Sequence, residues 1–450
     1  GDRDAVAVEY NRAADILDER GLTSLATTTR SALNEDRPVR TPRPPQTSDV
    51  TAAEQALVAL YVDKPDYGDL LDAAWLGARA FAVRQGVAVP NEIAPRLIAA
   101  QAQAELNLRN ALDALVRASA GKASRDDIVF EAITAMAKSL KDNHTGFVRP
   151  TSLQPSSGGS AYGFGFFGVP DGAGGAIVRE VLPGSPAAKA GIHPGDLIPN
   201  GADLLEPEDL PAAPDGGLRL TVDRDAARFD VSIAPAVFDL PLLTSGLLEG
   251  NVGYVRLTSF PSHLHLMPDG RSFVQDFDAT IADLQRQGAT RWVLDLRGNP
   301  GGSTITGAIV AARLGYAGSV AELDMRGERV TRTSSLGPRT LAGAPLALLV
   351  DKQSASMAEV LSQTLKDAGR ARIFGAQTAG KVNGAGVQPI AGGALEITLA
   401  RIKAGPSFSA IDEIGVAPDF AVPLDRKQLS AGHDNQLDAA LQYLLALKIR

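Results

Sequence analysis

Three short segments in the last third of the chain carry the residues that could do chemistry. They are DLRGNPGGS at 295–303, DKQSASMAEVLSQ at 351–363 and AQTAGKV at 376–382. Each segment follows or continues a predicted strand, and in α/β folds ligands and reactions are placed at the ends of strands. We therefore treat the three segments as candidates for one shared site.

Each segment also has a purely structural interpretation. The backbone N–H groups of Gly301 and Gly302 could approach a developing oxyanion, although a tight turn before a helix also explains these glycines. A serine at the start of the helix near Met357 could have its hydroxyl stabilised by the helix dipole, but serine is also an ordinary N-cap. A lysine that loses hydration among small apolar neighbours, as Lys381 would, can act as a general base, whereas most lysines after a turn are exposed. Taken singly, the serine and the lysine favour the structural interpretation.

Composition narrows the classes of function. The chain has 450 residues, of which 44% are hydrophobic and 21% charged, as expected for a globular protein of more than one domain. It has 44 basic and 52 acidic residues, a net charge of −8, so we expect no binding to nucleic acid. It has no cysteine, which excludes thiol nucleophiles and thiolate metal sites. His263 and His265 lie close together without a third obvious ligand, so neither a metal nor a cofactor is expected.

The first 150 residues are predicted to be helical, because they are rich in Ala, Leu, Glu and Arg. The stretch 36–49 contains four prolines and is predicted to be an extended linker. Further along, Ser124 and Asp127 resemble a capping box that opens a helix. No apolar run reaches the length of about 18–20 residues that a membrane span requires.

The pattern changes after a Ser/Gly/Pro-rich loop at 151–160. Short predicted strands then define a β-rich domain at 158–237, and strands alternating with helices define an α/β core at 238–428. A C-terminal segment, 429–450, contains an amphipathic helix with a leucine-rich face. The predicted strands are 162–169, 176–182, 218–222, 229–234, 251–257, 290–296, 346–351, 371–375 and 395–400.

Several motifs occur in one order along the chain. These are Asp142-Asn143-His144-Thr145, GYVRLTSF (253–260), DLRGNPGG (295–302), SASMAE (354–359), TAGK (378–381) and GVAPDFAV (415–422). In this order, the segment from about 140 to 425 resembles the carboxyl-terminal processing (tail-specific) proteases. The resemblance implies a ClpP/crotonase-like α/β protease core with an inserted PDZ-like domain, which follow the helical N-terminal region that the composition predicts.

The resemblance also selects the reactive serine. In that family the nucleophile precedes the helix glutamate by three residues and the catalytic lysine by twenty-five, and both counts lead to Ser356. The family therefore implies a dyad in which Lys381 deprotonates Ser356. It also implies an oxyanion hole formed by the N–H of Met357 and one from Gly301 or Gly302.

The sequence departs from the family pattern near the lysine. Many members have a glutamine four residues after the lysine, where this chain has Ala385. A three-residue insertion within 382–386 would let Gln388 take that place. His144 is an alternative base, although a structural role is favoured for it.

The PDZ resemblance rests on PGSPAAKAGIHPGD (183–196) and a Gly-rich loop that would bind a peptide carboxylate. That loop is formed by Tyr162, Gly163, Phe164, Gly165 and Phe166. The stretch 199–217 departs from the family, so the groove could be altered, and a lid that binds nothing is the alternative.

The sequence thus predicts a serine endopeptidase that cleaves near the C-terminal regions of protein substrates. A catalytically silent PDZ-containing scaffold and an acyl-CoA hydratase-like enzyme are the alternatives. Protein or peptide substrates are the expected partners, with a homo-oligomer through the terminal helices as a further option. The family implies a periplasmic, cell-envelope or secreted location, and the start Gly-Asp-Arg-Asp suggests a processed or truncated form.

Overall fold

The computed structural model describes residues 43–98, 100–149, 160–205, 217–225, 227–261, 271–327 and 329–448. The chain divides into two compact units. The first comprises residues 1–151 and 386–397, and the second comprises residues 152–385 and 398–450.

The helices and strands are named here in chain order. The α-helices are α1 Thr47–Leu60, α2 Tyr67–Arg84, α3 Gln101–Ala118, α4 Arg125–Ser139, α5 Pro186–Lys189, α6 Phe273–Arg286, α7 Thr304–Arg313, α8 Met357–Asp367, α9 Arg426–Ser430 and α10 Asn435–Ala446. The strands are β1 Gly146–Val148, β2 Ser160–Gly163, β3 Phe166–Pro170, β4 Ala176–Val181, β5 Leu197–Ile198, β6 Leu218–Arg224, β7 Ala227–Ile233, β8 Ala236–Asp239, β9 Leu243–Leu248, β10 Val252–Leu257, β11 Arg291–Asp295, β12 Ser319–Met325, β13 Arg329–Ser334, β14 Leu346–Val350, β15 Arg372–Gly375, β16 Gly384–Ile390, β17 Gly393–Ala404 and β18 Phe420–Ala421.

Helices α1 to α4 form most of the first unit, which confirms the predicted helical N-terminal region for its described residues. Their apolar faces pack together, with Leu57, Leu71, Leu112 and Ile133 fully buried. Ser124 caps α4 as expected, because its Oγ accepts the Asp127 N–H at 3.0 Å. In the same unit, β1 pairs antiparallel with the start of β17.

The predicted linker at 36–49 is wrong at its C-terminal end. Helix α1 already begins at Thr47, and Thr47 and Asp49 are buried. The Asp49 carboxylate accepts the Gln46 N–H at 2.8 Å, which supplies a helix cap that the proline count did not reveal. Residues 36–42 lie outside the described residues.

In the second unit, the segment from β2 to β8 is rich in β-structure. Strands β3 to β7 form an antiparallel sheet in that order, and β2 pairs with β8 as a separate ribbon. A small core of Phe164, Val178, Ile198 and Ile233 lies between the sheet and α5. Ser185 caps α5 by accepting the Ala188 N–H.

The α/β core contains a six-stranded sheet in the order β18-β15-β14-β11-β10-β9. Strands β10, β11, β14, β15 and β18 are parallel, and β9 is antiparallel to β10. Residues of β14 are buried along its whole length, as continuous apolar strands of a covered parallel sheet should be. A second sheet pairs β12 with β13 and with the later part of β17.

The leucine-rich face of α10 packs on the core sheet of the same unit. Ala440 and Leu444 are fully buried there against Val293, Leu349 and Phe374. This contact uses the apolar face that could otherwise have paired with a second subunit, so a homo-oligomer stays a prediction. Across the described ranges, no helix has the length and apolarity that a bilayer crossing demands.

Candidate active site

The three chemical segments meet at one edge of the six-stranded sheet. Strands β11, β14 and β15 are neighbours and run parallel, so their carboxyl ends lie side by side. The segment 295–303 follows β11, the segment 351–356 follows β14, and the segment 376–382 follows β15. Sheet order therefore brings together residues that are as much as 87 positions apart in sequence, from 295 to 382.

Ser356 occupies a strained turn between β14 and α8. Its φ is 52° and its ψ is −119°, a conformation that non-glycine residues rarely adopt. Such conformations cost about 1–3 kcal/mol and often occur at functional sites. A serine on a sharp strand–turn–helix junction is also the arrangement of the nucleophile elbow in other hydrolases. Ser356 is half-buried.

The two neighbouring serines have structural hydrogen bonds instead. Ser354 is fully buried; its Oγ donates to the Leu296 carbonyl at 2.8 Å and accepts the Asp351 N–H at 2.9 Å. Ser362 is also fully buried and donates to the Ala358 carbonyl at 2.7 Å. The geometry therefore favours Ser356 as the serine available for chemistry.

Lys381 lies next to Ser356 through the backbone. The Ser356 N–H donates to the Lys381 carbonyl at 2.6 Å. On the preceding turn, the Ala379 N–H donates to the Ser354 carbonyl at 3.0 Å. The lysine segment is thus bonded along the serine segment at two points.

Glu359 connects these segments from within α8. Its carboxylate is fully buried and accepts the N–H groups of Ser356 (3.0 Å), Lys381 (2.9 Å) and Gly380 (2.7 Å). It also accepts the hydroxyl of Thr378. Burial raises the pKa of Glu359, although these four hydrogen bonds oppose that shift. One carboxylate therefore fixes the serine turn and the lysine turn together.

The glycine turn comes close to Ser356. A Cβ on Gly301, whose φ is +102°, would lie 2.5 Å from the Ser356 Cβ, so only glycine fits there. The Gly301 N–H donates to Asn299 Oδ1 at 2.8 Å and so is already engaged. In contrast, the N–H groups of Gly302 and Met357 have no acceptor among the described residues. These two amides are the better candidates for an oxyanion hole.

A buried ionic cluster holds the glycine turn in place. Arg297 donates to Asp295 through Nε (3.0 Å) and Nη2 (2.6 Å), and to the Asp434 carboxylate before α10 at 2.7 Å. Tyr254 donates its hydroxyl to Asp295 at 2.8 Å. Burial alone would raise the pKa of Asp295, but the charge and hydrogen bonds of Arg297 lower it well below its usual range.

Some positioning residues were missed by the sequence reasoning. Glu359 and Thr378 were given there only as members of motifs, and Asp434 was not singled out within the C-terminal segment. Their partners are remote in sequence: Arg297 and Asp434 are 137 residues apart. Glu359 and Thr378 stand in the motifs SASMAE and TAGK, which was the available signal for them, whereas Asp434 stands in none of the quoted motifs.

Two predicted residues belong to the first compact unit. Gln388 lies half-buried in β16. His144 lies in a turn capped by Asp142, whose Oδ1 accepts the His144 backbone N–H at 2.7 Å. The Nδ1 of the His144 ring is 2.7 Å from Asn143 Oδ1. Catalytic roles for both residues stay predictions.

The predicted carboxylate loop lies between β2 and β3. Gly165 has φ +78°, and a Cβ there would lie 2.2 Å from the Ser185 Cβ, so the loop requires glycine. Phe164 is buried and stacks at 6.5 Å on Phe166, whereas Tyr162 is 37% exposed. His263 and His265 lie outside the described residues, within which no His, Asp and Glu side chains cluster as metal ligands.

Comparison with known proteins agrees with this architecture. The family model for peptidase family S41 matches residues 251–422, and the PDZ domain model matches residues 151–200. A carboxyl-terminal-processing protease from Picosynechococcus sp. is 31% identical over 71% of this chain and 79% of its own length. Carboxyl-terminal-processing peptidase 2 of Arabidopsis thaliana, a chloroplastic protein, is 32% identical over 65% of this chain and 60% of its own length.

A solved structure shows the same fold. The photosystem II D1 C-terminal processing protease superposes with a TM-score of 0.53 at 22% identity, covering 89% of this chain and 97% of the other. Fold and sequence matches together define the class of protein, a serine-type peptidase with a PDZ domain. By its identity to the Picosynechococcus protease over most of that protein's length, the chain belongs to peptidase family S41.

Proposed function

We propose that the chain is an endopeptidase that cleaves near the C-terminal regions of protein substrates, with Ser356 as nucleophile and Lys381 as general base. The observation that carries the proposal is the placement of a strained serine directly against the lysine turn, through the Ser356–Lys381 backbone bond of 2.6 Å. The other nearby serines are already committed to buried hydrogen bonds.

The reaction would proceed through an acyl-enzyme. Lys381 takes the proton of the Ser356 hydroxyl as its Oγ attacks the peptide carbonyl carbon. The N–H groups of Met357 and Gly302 donate to the resulting oxyanion, with Gly301 as the alternative that the sequence suggests. The C–N bond then breaks, the leaving amine receives the proton from Lys381, and water hydrolyses the ester in the reverse sequence of proton transfers.

We assign the binding of substrate to the PDZ-like domain at 158–237, ahead of a protease core at 238–428. Residues 162–166 would bind a terminal carboxylate with loop N–H groups while the chain end adds to the edge strand β3. The exposed Tyr162 and its cross-strand neighbour Val237, which is 56% exposed, offer apolar contact to such a peptide. A location in the periplasm or cell envelope, or outside the cell, is part of the same proposal and rests on the family alone.

The test is proteolysis of an unfolded protein by the full chain and by the variants Ser356→Ala and Lys381→Ala. Each variant should lower kcat by about a thousand-fold or more, because the members of a catalytic set act as a unit. Lys352→Ala, which removes an exposed lysine of the same loop, should leave activity unchanged. Full activity of either catalytic variant would refute the proposal, and substrate binding without cleavage by the wild type would favour a silent scaffold.

Gln388 is proposed as the residue that orients the lysine amine. Its support is the sequence: this is the first glutamine after Lys381. Gln388→Ala should lower kcat by about tenfold with KM unchanged, as expected for loss of one neutral hydrogen bond in the transition state. Gln377→Ala, an exposed glutamine before the lysine, is the matched control. An unchanged kcat for Gln388→Ala would remove it from the site.

A further inference from the structure

A cleft of about 410 Å³ lies between the β-rich domain and the core sheet of the second unit. This volume falls within the range of small-molecule sites, about 300–1,000 Å³. Three arginines line it, Arg179 from β4, Arg256 from β10 and Arg297 from the glycine turn, together with His193, Tyr254 and Asp434. The predicted catalytic and peptide-binding residues do not line this cleft.

Two of these arginines are buried with more than half of their N–H donors unused. The side chain of Arg179 is 4% exposed, and its Nη1 lies 3.5 Å from Asp351 Oδ2. The side chain of Arg256 is 7% exposed, and its Nη1 pairs with Glu180. In both, Nε and Nη2 find no hydrogen-bond partner among the groups that the structure describes. Unpaired N–H groups of a buried cation are costly, so they point to a ligand.

The unused atoms are closed to solvent in this structure, and their arrangement within each guanidinium is defined. Nε and Nη2 are the two parallel donors along one edge of a guanidinium, the edge that binds a carboxylate with two hydrogen bonds. Both guanidinium groups also lie over the ring of Phe167, with Cζ at 5.8 Å from its centroid for Arg179 and 4.9 Å for Arg256. The aromatic ring and the Nη1 ion pairs therefore fix the orientation of both donor edges.

Arg297 in the same cleft is an arginine whose Nε–Nη2 edge already has hydrogen-bond acceptors. Its Nε and Nη2 donate to the two oxygens of Asp295, at 3.0 and 2.6 Å. The chain thus supplies a carboxylate to the Nε–Nη2 edge of Arg297, but not to the corresponding edges of Arg179 and Arg256. Burial lowers the pKa of Arg179, and the charges of Arg297 and Arg256 add to that shift, whereas the carboxylates of Asp351 and Asp295 oppose it.

The acidic neighbours limit how closely the negative charges of a ligand can lie together. Glu180, Asp295 and Asp434 line the cleft, and Asp351 pairs with Arg179. Inorganic phosphate would concentrate its negative charge at one point among these carboxylates, whereas a dicarboxylate separates its two charges and brings one to each open donor edge. Two open edges in one cleft suit a ligand with two carboxylates.

We propose that this cleft binds a small carboxylate ligand, best a dicarboxylate, through the Nε–Nη2 edges of Arg179 and Arg256. The proposal is independent of the peptidase chemistry and adds a second ligand to the protein. Its position has a structural consequence. Asp351, the partner of Arg179, also accepts the N–H groups of Gly298 and Gln353, so the ligand would bind beside the turn that leads to Ser356.

The test is isothermal titration calorimetry of the full chain with succinate, acetate and inorganic phosphate at constant ionic strength. Succinate should bind at one site with a Kd of about 1 mM or tighter. Arg179→Lys and Arg256→Lys, which keep the charge but remove the two-donor edge, should each weaken binding about tenfold or more. Arg219→Lys, at an exposed arginine that does not line the cleft, should have no effect.

A variant with the opposite effect keeps the test decisive if the lysine variants unfold. Glu180→Gln removes the acid that pairs with Arg256 and whose side chain is 33% exposed, so it should tighten succinate binding up to about fivefold. No saturable binding of succinate or acetate would overturn the proposal, as would binding that neither the lysine variants nor Glu180→Gln changes. Phosphate binding as tight as succinate would overturn the carboxylate assignment.

Discussion

The two units of the molecule each bury a glutamate completely, but they surround it differently. Glu359 at the start of α8 accepts four hydrogen bonds from three backbone N–H groups and one hydroxyl. Glu54 in α1 faces a second buried carboxyl group, Glu105 of α3, and accepts one amide N–H from Gln101 at 3.0 Å. The two glutamates are equally buried, but they accept different numbers of hydrogen bonds.

The difference separates two uses of a buried acid. Burial raises the pKa of Glu359, and its four donors counter that shift. Burial and the nearby Glu105 raise the pKa of Glu54 to about 8, with only Gln101 acting against them. A carboxylate that accepts several hydrogen bonds organises the chain around it. A buried carboxyl group that lies beside a second carboxyl group is stable only while it keeps its proton.

The largest effect is expected from Glu359→Gln. The amide group puts an N–H where an acceptor stood, so whichever way it turns at least one backbone N–H of the serine turn or the lysine turn loses its partner. We expect unfolding free energy to fall by about 3 kcal/mol and kcat/KM by about 100-fold or more. Chemical denaturation and proteolysis assays measure both. Glu249→Gln, an exposed glutamate of the same unit, should change neither, and wild-type activity of Glu359→Gln would contradict the role given to the carboxylate.

Glu54→Gln should remove a pH dependence of the stability of the first unit. The pKa of Glu54 is about 8 in the folded state and about 4.3 in the unfolded state, so between these values the folded state holds more protons. The contribution of Glu54 to the free energy of unfolding is therefore fully present below about pH 4.3. It falls by up to about 1.4 kcal/mol per pH unit as the pH rises from there to about 8, and above about 8 it no longer changes.

Hydrogen exchange of α1 and α3 in the full chain measures this effect against pH. The wild type should lose protection as pH rises to about 8 beyond the intrinsic change in exchange rate, and Glu54→Gln should not. Glu92→Gln, at an exposed glutamate of the same unit, should behave like the wild type. Parallel profiles for the wild type and Glu54→Gln would show that Glu54 is charged throughout.

The regular elements were largely predictable from sequence, because their signals are local. Strand β14 is a continuous apolar run, and α6 has Phe273, Phe277, Ile281 and Leu284 on one buried face, as the 3.6-residue period requires. The start of α1 at Thr47 was missed because it depends on the reciprocal cap between Gln46 and Asp49 in a proline-rich stretch. The choice of Ser356 as the predicted nucleophile came from motif spacing, since its own residue type is equally that of a helix cap.

The connections between segments could not be predicted. Arg179 and Asp351 are remote in sequence, as are Arg297 and Asp434, and nothing in a single sequence states which buried polar groups meet. Such pairs depend on strand order and register, which place whole segments side by side. The engaged N–H of Gly301 illustrates the limit: the sequence offered two glycines as oxyanion donors, and only the fold shows that Asn299 already binds one.

The smallest effect should come from Thr378→Val, which removes one of the four donors to Glu359. The Thr378 hydroxyl donates to Glu359 and accepts the Val416 N–H at 2.6 Å, so valine of similar shape leaves a buried N–H unpaired. We expect a loss of about 1–3 kcal/mol in stability and a fall in kcat/KM of about tenfold or less. Thr364→Val is the matched control, because Thr364 is also buried and donates to the Val320 carbonyl at 2.9 Å, but does not contact Glu359. If both variants lose equal stability and only Thr378→Val loses activity, the hydrogen bonds donated to Glu359 matter for the site itself. If the activity of the two variants is equal, these hydrogen bonds matter only for the fold.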